Sequence, residues 1–503
     1  MKKFKKLFGF FCAFALILGM NVIPASAEAT YSITINNSTE GHTYEAYQIF
    51  TGDLAEKNGQ KVLSNIVWGS GVSEAGKTTL GNAATKAETL QSEADAKAFA
   101  KAVASYLTTA AGSANTVTNG KYVISGLTAG YYLIKDQDGS LTGDNDSYTD
   151  YIIKVVGDTT ATPKSDVPTV EKKVKDINDS TDDAMTDWQD SADHDIDDSV
   201  PFQLKATLAD NVSSYTTYKV VFHDTLSKGL TYNNDAKVFI DGTETNGFTV
   251  TSTVNADGTT TLTVSCDDVK ALGAGNSSVI TVEYTATLNG NAVLGSAGNP
   301  NEVYLEYSNN PNKSESGNNE TGNTPKDVVI VFTYKTVVNK VTKNPDYDPE
   351  VEGSEEYIPL TGAEFTLEKY NKETDEWNAI IAVKNDEGTI FTFSGLDDGK
   401  YRLTETTTPA GYNTIDPIEF TITAEHDVLS DNPALTSLSG NAANGEITFT
   451  SNTTEGSLST DVVNKAGATL PETGGMGTTL FYVAGAGLVL VAVVLLITRK
   501  RMN

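Results

Sequence analysis

Short runs in which apolar and polar residues alternate recur along most of the chain, at 31–35, 122–124, 151–156, 219–222, 259–265, 279–287, 328–338, 418–422 and 446–450. They are rich in Val, Ile, Thr and Tyr and are separated by clusters of Gly, Asn and Asp. This is the pattern of strands with one buried face, and it predicts antiparallel β-sandwiches. One stretch keeps a different period. Between 92 and 107, Phe99, Val103 and Tyr106 recur at helical spacing in an alanine-rich segment, which predicts a helix packed into the first domain. The expected fold is mainly β: tandem immunoglobulin-like sandwiches, the N-terminal one with an added helix.

Two apolar stretches do not alternate. Residues 7–23 follow Lys2, Lys3, Lys5 and Lys6 and precede Ala25-Ser26-Ala27, the layout of an export leader cleaved after Ala27. Residues 480–497 are long enough to cross a bilayer as a helix, and Arg499-Lys500-Arg501 would hold their end on the cytoplasmic side. Linker-like segments at 158–168, 308–326 and 466–470 divide the remainder. The expected organisation is a leader at 1–27, domains at 28–163, 168–325 and 326–466, a short motif at 470–474 and a membrane segment at 480–497 with a basic tail.

Charge and cysteine narrow the class. The formal charge is −30. Both removable ends are basic and carry no acid, so losing their seven cations leaves −37. Such acidity excludes nucleic acid as a partner and favours a soluble, self-repelling surface. Acids crowd residues 176–198, where a mobile solvated loop is expected; their spacing lacks the glycine punctuation of an EF-hand calcium loop. Cys12 leaves with the leader and Cys266 remains alone, so no internal disulfide can form. An exported chain without disulfides calls for another source of rigidity. Cys266 is expected to be buried in its strand.

The C-terminal motif reads Leu470-Pro471-Glu472-Thr473-Gly474 and is followed by the apolar stretch and basic tail. It resembles the sorting signal of Gram-positive surface proteins, which implies sortase cleavage between Thr473 and Gly474 and transfer of the Thr473 acyl group to an amine. Ahead of it, "LTGAEFTL" at 360–367, "YRLTET" at 401–406, "PAGY" at 409–412 and the flanking Lys340 and Asn464 resemble the collagen-adhesin B-type (CnaB) module. That resemblance implies an intramolecular isopeptide bond from Lys340 to Asn464, with Glu405 as the assisting acid. The residue types suit the reaction. Burial lowers a lysine pKa and raises that of an acid, giving a nucleophilic amine and a proton donor able to polarise the asparagine carbonyl. The fold supplies proximity worth ~7–11 kcal/mol of barrier. Tyr401, Leu403 and Glu405 share one strand face, so Glu405 is expected to point inward.

The middle region resembles the fimbrial isopeptide-forming D2 module. Here Val170, Lys172 and Val174 share a face, "HDTLSKGLTY" spans 223–232, and the region ends on 301–309. Carry-over implies Lys172, Asp224 and Asn301; Asn309 shares the face of Asn301, and a slip of one residue would substitute Lys173. The first region resembles pilin N-terminal domains through "YEAYQIF" at 44–50 and "GLTAGYYLI" at 126–134. Lys135 stands where the acid would be, so no isopeptide bond is expected there, and this domain should be the least rigid.

Taken together the chain resembles the backbone pilins of sortase-assembled Gram-positive pili. The resemblance implies a wall-anchored covalent polymer supporting adhesion, in which a lysine after the first domain attacks the Thr473 acyl group of another copy. "TPK" at 162–164 places Lys164 at that point, with Lys154 as substitute. Implied partners are pilin-specific and housekeeping sortases, other copies of the chain, minor pilins, peptidoglycan and host surface molecules. A monomeric wall-anchored adhesin or a minor pilin is the alternative. The four histidines, His42, His194, His223 and His426, show no metal spacing and no nucleophile–base signature, so neither a cofactor, a metal nor an enzyme is expected.

Overall fold

The computed structural model describes residues 30–467, apart from 58–59, 156–157, 182–184, 316, 318, 444 and 446. The leader with Ala27, the 470–474 motif and the apolar segment 480–497 lie outside the described residues. No helix among the described residues is long and apolar enough to cross a membrane.

Among the described residues the strands assemble into six sheets, two for each of three successive bodies. In the first body the strand Tyr31–Ile35 lies between Tyr122–Leu127 and Thr159–Ala161, the latter pairing parallel. Tyr44–Lys57 centres the facing sheet, flanked by Gln60–Trp68 and Gly130–Asp136. The expected helix forms as Glu93–Ala104, capped by Ser92. It buries Phe99, Ala100 and Val103, and Phe99 stacks on Phe50. Two short helices, Glu74–Leu80 and Ala83–Glu88, accompany it.

The middle body is a sandwich with a continuous apolar core. One sheet carries Thr169–Val174, Ser199–Thr207 and Val279–Leu288. The other carries Val220–Leu226, Thr260–Cys266, Asn299–Ser308 and Asp327–Phe332. Inward positions alternate strictly along Val279–Leu288, as a half-buried strand requires. Cys266 is a buried free thiol that ends its strand.

The run at 328–338 is two strands, not one. Asp327–Phe332 completes the middle sandwich, and Tyr334–Lys343 opens the third. The exchange of sheets therefore falls at Thr333, beyond the expected boundary at 325/326, because the ladder to Asn299–Ser308 holds the first half. In the third body Tyr334–Lys343 pairs parallel with the final strand Ser457–Val463. Glu364–Asn371, Gly399–Thr407 and Ile418–His426 form the opposing sheet. The strand expected at 446–450 is confined to Thr450–Asn452.

The acid-rich segment 176–198 is not a free solvated loop. The strand Ser191–Asp193 pairs with Asp327–Phe332, and Asp190, Asp193 and His194 are buried. Its acids meet the third body: Lys369 pairs with Asp195 and Asp397, and the Asp190 backbone N–H donates to Val428 O. These partners lie far along the sequence and supply the countercharge that a charge run read alone does not reveal. Close backbone contact joins the two bodies as well. Gly295 (φ +75°) and Gly456 (φ +61°) meet where a Cβ on Gly456 would stand 2.4 Å from the Gly295 nitrogen.

Candidate functional site

Among the described residues, two buried lysine–acid–asparagine clusters stand in the middle and third bodies. In the third, the parallel register sets Lys340 beside Val462 and Val341 beside Val463, so Asn464, one residue past the strand, reaches the lysine. Lys340 and Asn464 are fully buried and Glu405 nearly so. The Lys340 ammonium nitrogen contacts Asn464 Oδ1, lies 3.3 Å from Glu405 Oε1 and donates to Val462 O. The asparagine amide donates from Nδ2 to Glu405 Oε1 at 2.9 Å and Oε2 at 3.1 Å. Burial pushes the Lys340 pKa down against the pull of Glu405.

Glu405 thus faces the nitrogen of the amide rather than its oxygen, contrary to the carbonyl-polarising role expected from sequence, because Oδ1 is turned toward the lysine. One carboxyl oxygen lies within reach of both the lysine nitrogen and the amide nitrogen. That is the geometry of a proton relay.

In the middle body Lys172, Asp224 and Asn301 are all fully buried. They come from strands Thr169–Val174, Val220–Leu226 and Asn299–Ser308, so the cluster ties one sheet to the other. Lys172 Nζ lies 2.6 Å from Asp224 Oδ1. Burial pushes the lysine down and the aspartate up, each opposed by the other's charge.

A fourth residue, absent from the sequence reading, stands at the centre. The Tyr284 hydroxyl accepts from Lys172 Nζ at 3.1 Å and from Asn301 Nδ2 at 2.8 Å, and donates to Asp224 Oδ2. The available signal was its place on the inward face of a strand with Val282 and Ala286, which every core aromatic shares.

The other candidates lie elsewhere. Lys173 is partly exposed and pairs with Asp190. Asn309 donates to Asp146 of the first body. Lys135 is buried and pairs with Asp138, and no acid–asparagine pair joins it among the described residues. Lys164 sits in the extended segment between Thr159–Ala161 and Thr169–Val174; its side chain is 64% exposed and pairs with Glu93 at 2.9 Å. Lys154 lies in the strand Ile152–Val155, paired with Tyr132.

Comparison with known proteins assigns three segments. Residues 196–311 match the Gram-positive pilin backbone subunit 2, Cna-B-like domain. Residues 352–432 match a prealbumin-like fold domain, and 462–503 match the LPXTG cell wall anchor motif. The trypsin-resistant surface T6 protein of Streptococcus pyogenes serotype M6 is 26% identical over 290 residues, half of this chain and 45% of that protein. The chain thus spans less than half the length of this curated relative. The solved T6 backbone pilin of serotype M6 S. pyogenes, described as a modular three-domain structure, superposes with a TM-score of 0.57 at 18% identity. That match covers 88% of this chain and all of the other, and it shows a shared fold.

Proposed function

We propose that this chain, which carries the domains and wall-anchor motif of a Gram-positive backbone pilin, is the shaft subunit of a covalent, wall-anchored pilus. The observation that carries the reading is the presence of a pilin-backbone domain and an LPXTG anchor in one chain. After export and removal of the leader at Ala27, 480–497 would hold the chain in the membrane while sortase cleaves between Thr473 and Gly474. The Thr473 acyl-enzyme then passes to the Lys164 amine of another copy. This head-to-tail joint does not close on itself, so it generates a fibre. The exposure of Lys164 between two bodies suits an amine that must enter another protein's active site.

Each buried cluster forms one isopeptide bond without a cofactor. The neutral lysine amine attacks the asparagine amide carbon; one of its protons travels to the amide nitrogen, which departs as ammonia. In the third body Glu405 carries that proton. In the middle body Asp224 and Tyr284 carry it together. The reaction happens once per bond, so the chain is a substrate and scaffold rather than an enzyme. The bonds replace the missing disulfides as covalent staples and support a fibre that serves adhesion and colonisation.

The test is a denaturing gel of wall extracts from cells making the native chain or Lys164→Ala. A ladder of boiling-resistant species that collapses to monomer in the variant is expected. A ladder that survives moves the linking amine elsewhere, Lys154 first. No ladder in either strain leaves a monomeric anchored adhesin.

A further inference from the structure

Outside the two lysine clusters, three side chains from both sides of the junction between the middle and third bodies converge. Asp176 follows the strand Thr169–Val174, Asp193 ends Ser191–Asp193, and His426 ends Ile418–His426. Asp176 Oδ2 and Asp193 Oδ1 each stand 3.5 Å from His426 Nε2, and the three ligand atoms lie within 4.8 Å of one another. All three side chains are shielded, at 16%, 4% and 7% exposure.

The imidazole is held for this task from behind. Ser191 Oγ donates to Asp427 O at 2.7 Å, so its lone pair is left for the Nδ1–H of His426 at 2.8 Å. With Nδ1 so engaged, Nε2 is the nitrogen turned toward the two carboxylates, and a hydrogen bond behind Nδ1 is the outer support found behind metal-binding histidines. A second observation points to a missing occupant. The Tyr334 hydroxyl is fully buried beside Asp193 and Asp176, and among the described residues no partner stands at full hydrogen-bonding distance from it.

Spacing decides the chemistry. Separations of 3.5 Å exceed the ~2.7–2.9 Å of a charge-assisted hydrogen bond. The two imidazole–carboxylate separations fit the edge of a tetrahedron, ~3.4 Å, around an ion bonded at ~2.0–2.1 Å. One imidazole with two carboxylates suits a borderline divalent ion better than calcium.

We propose that Asp176, Asp193 and His426 form a binding site for a divalent ion of the Zn2+ class that clamps the third body onto the middle one. The Tyr334 hydroxyl, beside Asp193, would hold a water in the fourth position.

The experiment is calorimetric titration of the metal-free mature chain, residues 28–473, with Zn2+ and separately with Ca2+. One equivalent of Zn2+ per chain is expected. Asp176→Asn, at the rim of the site, and His426→Gln should abolish uptake, whereas His223→Gln, remote from it, should leave it unchanged. Ser191→Ala should weaken binding ~10–100-fold through the loosened imidazole. Melting of Asp176→Asn in the absence of metal should match the native chain, which separates a lost ligand from a lost fold. Failure of the native chain to take up one equivalent overturns the site, and so does uptake that survives both ligand variants. Preference for Ca2+ over Zn2+ overturns the assigned class.

Discussion

Replacing Glu405 by Gln keeps the shape of the side chain and removes its capacity to carry a proton. Glu405 Oε1 stands 3.3 Å from the lysine nitrogen and 2.9 Å from the amide nitrogen, so no other described group is as well placed to move a proton between them. The Lys340–Asn464 bond should therefore fail to form, and the mature chain should be heavier by one ammonia. The stability cost follows from the separation of the two residues, 124 positions. In the chain-entropy account a cross-link closing a loop of that size removes about 5 kcal/mol of unfolded-state freedom. For a body of this size each kcal/mol is worth about 3–5 °C, so its melting transition should fall by roughly 15–25 °C. Intact-mass spectrometry and scanning calorimetry read the two effects. Ammonia loss as complete as in the native chain would refute the relay. A missing bond with a melting shift below about 5 °C would refute the entropic reasoning.

Tyr284→Phe removes the hydroxyl bridging Lys172, Asp224 and Asn301; bond formation in the middle body should slow ~10²–10⁴-fold, followed as ammonia loss after refolding. Gly456→Ala forces a Cβ to 2.4 Å from the Gly295 backbone nitrogen at a positive φ, so the junction should loosen by ~1–3 kcal/mol, seen as faster proteolysis near residues 295 and 456. Glu306 is held at about 2 by hydrogen bonds from His223 and Lys219, against 4.5 when free. A lowered acid pKa stabilises above the free value and loses that effect as pH falls toward 2. Glu306→Gln should therefore flatten the acid side of the melting profile between those values, by about 1–2 kcal/mol after allowing for partial exposure; equal slopes in variant and native chain would contradict the assignment.

What could be read in the sequence was whatever depends on neighbours in sequence. Alternation exposed Val279–Leu288, and the inward parity of Lys172 and Glu405 followed from it. The module resemblance supplied Lys340 and Asn464, which no periodicity could pair. Tyr284 went unseen because a core tyrosine and a reactive one look alike until Asp224 and Asn301 surround it. The acids at 176–198 were misread for the converse reason: Lys369 and His426, which neutralise them, lie some 170 to 250 residues onward. The split at Thr333 was hidden because both halves of 328–338 alternate, and only the ladders show that they serve different sheets.

The ends of the cross-link proposed for the third body would also set where its sequence is free to drift. Tension entering at Tyr334–Lys343 and leaving past Asn464 would run through one amide, so everything between Lys340 and Asn464 hangs beside the path of the force. In the proposed fibre those surface strands and turns could exchange residues without weakening it, provided Lys340, Glu405 and Asn464 stay. The middle body grants less licence. The proposed Lys172–Asn301 tie leaves Asp327–Phe332 downstream, held by backbone pairing with Asn299–Ser308 on one side and Ser191–Asp193 on the other, and the residues of those two ladders should be the slowest to change.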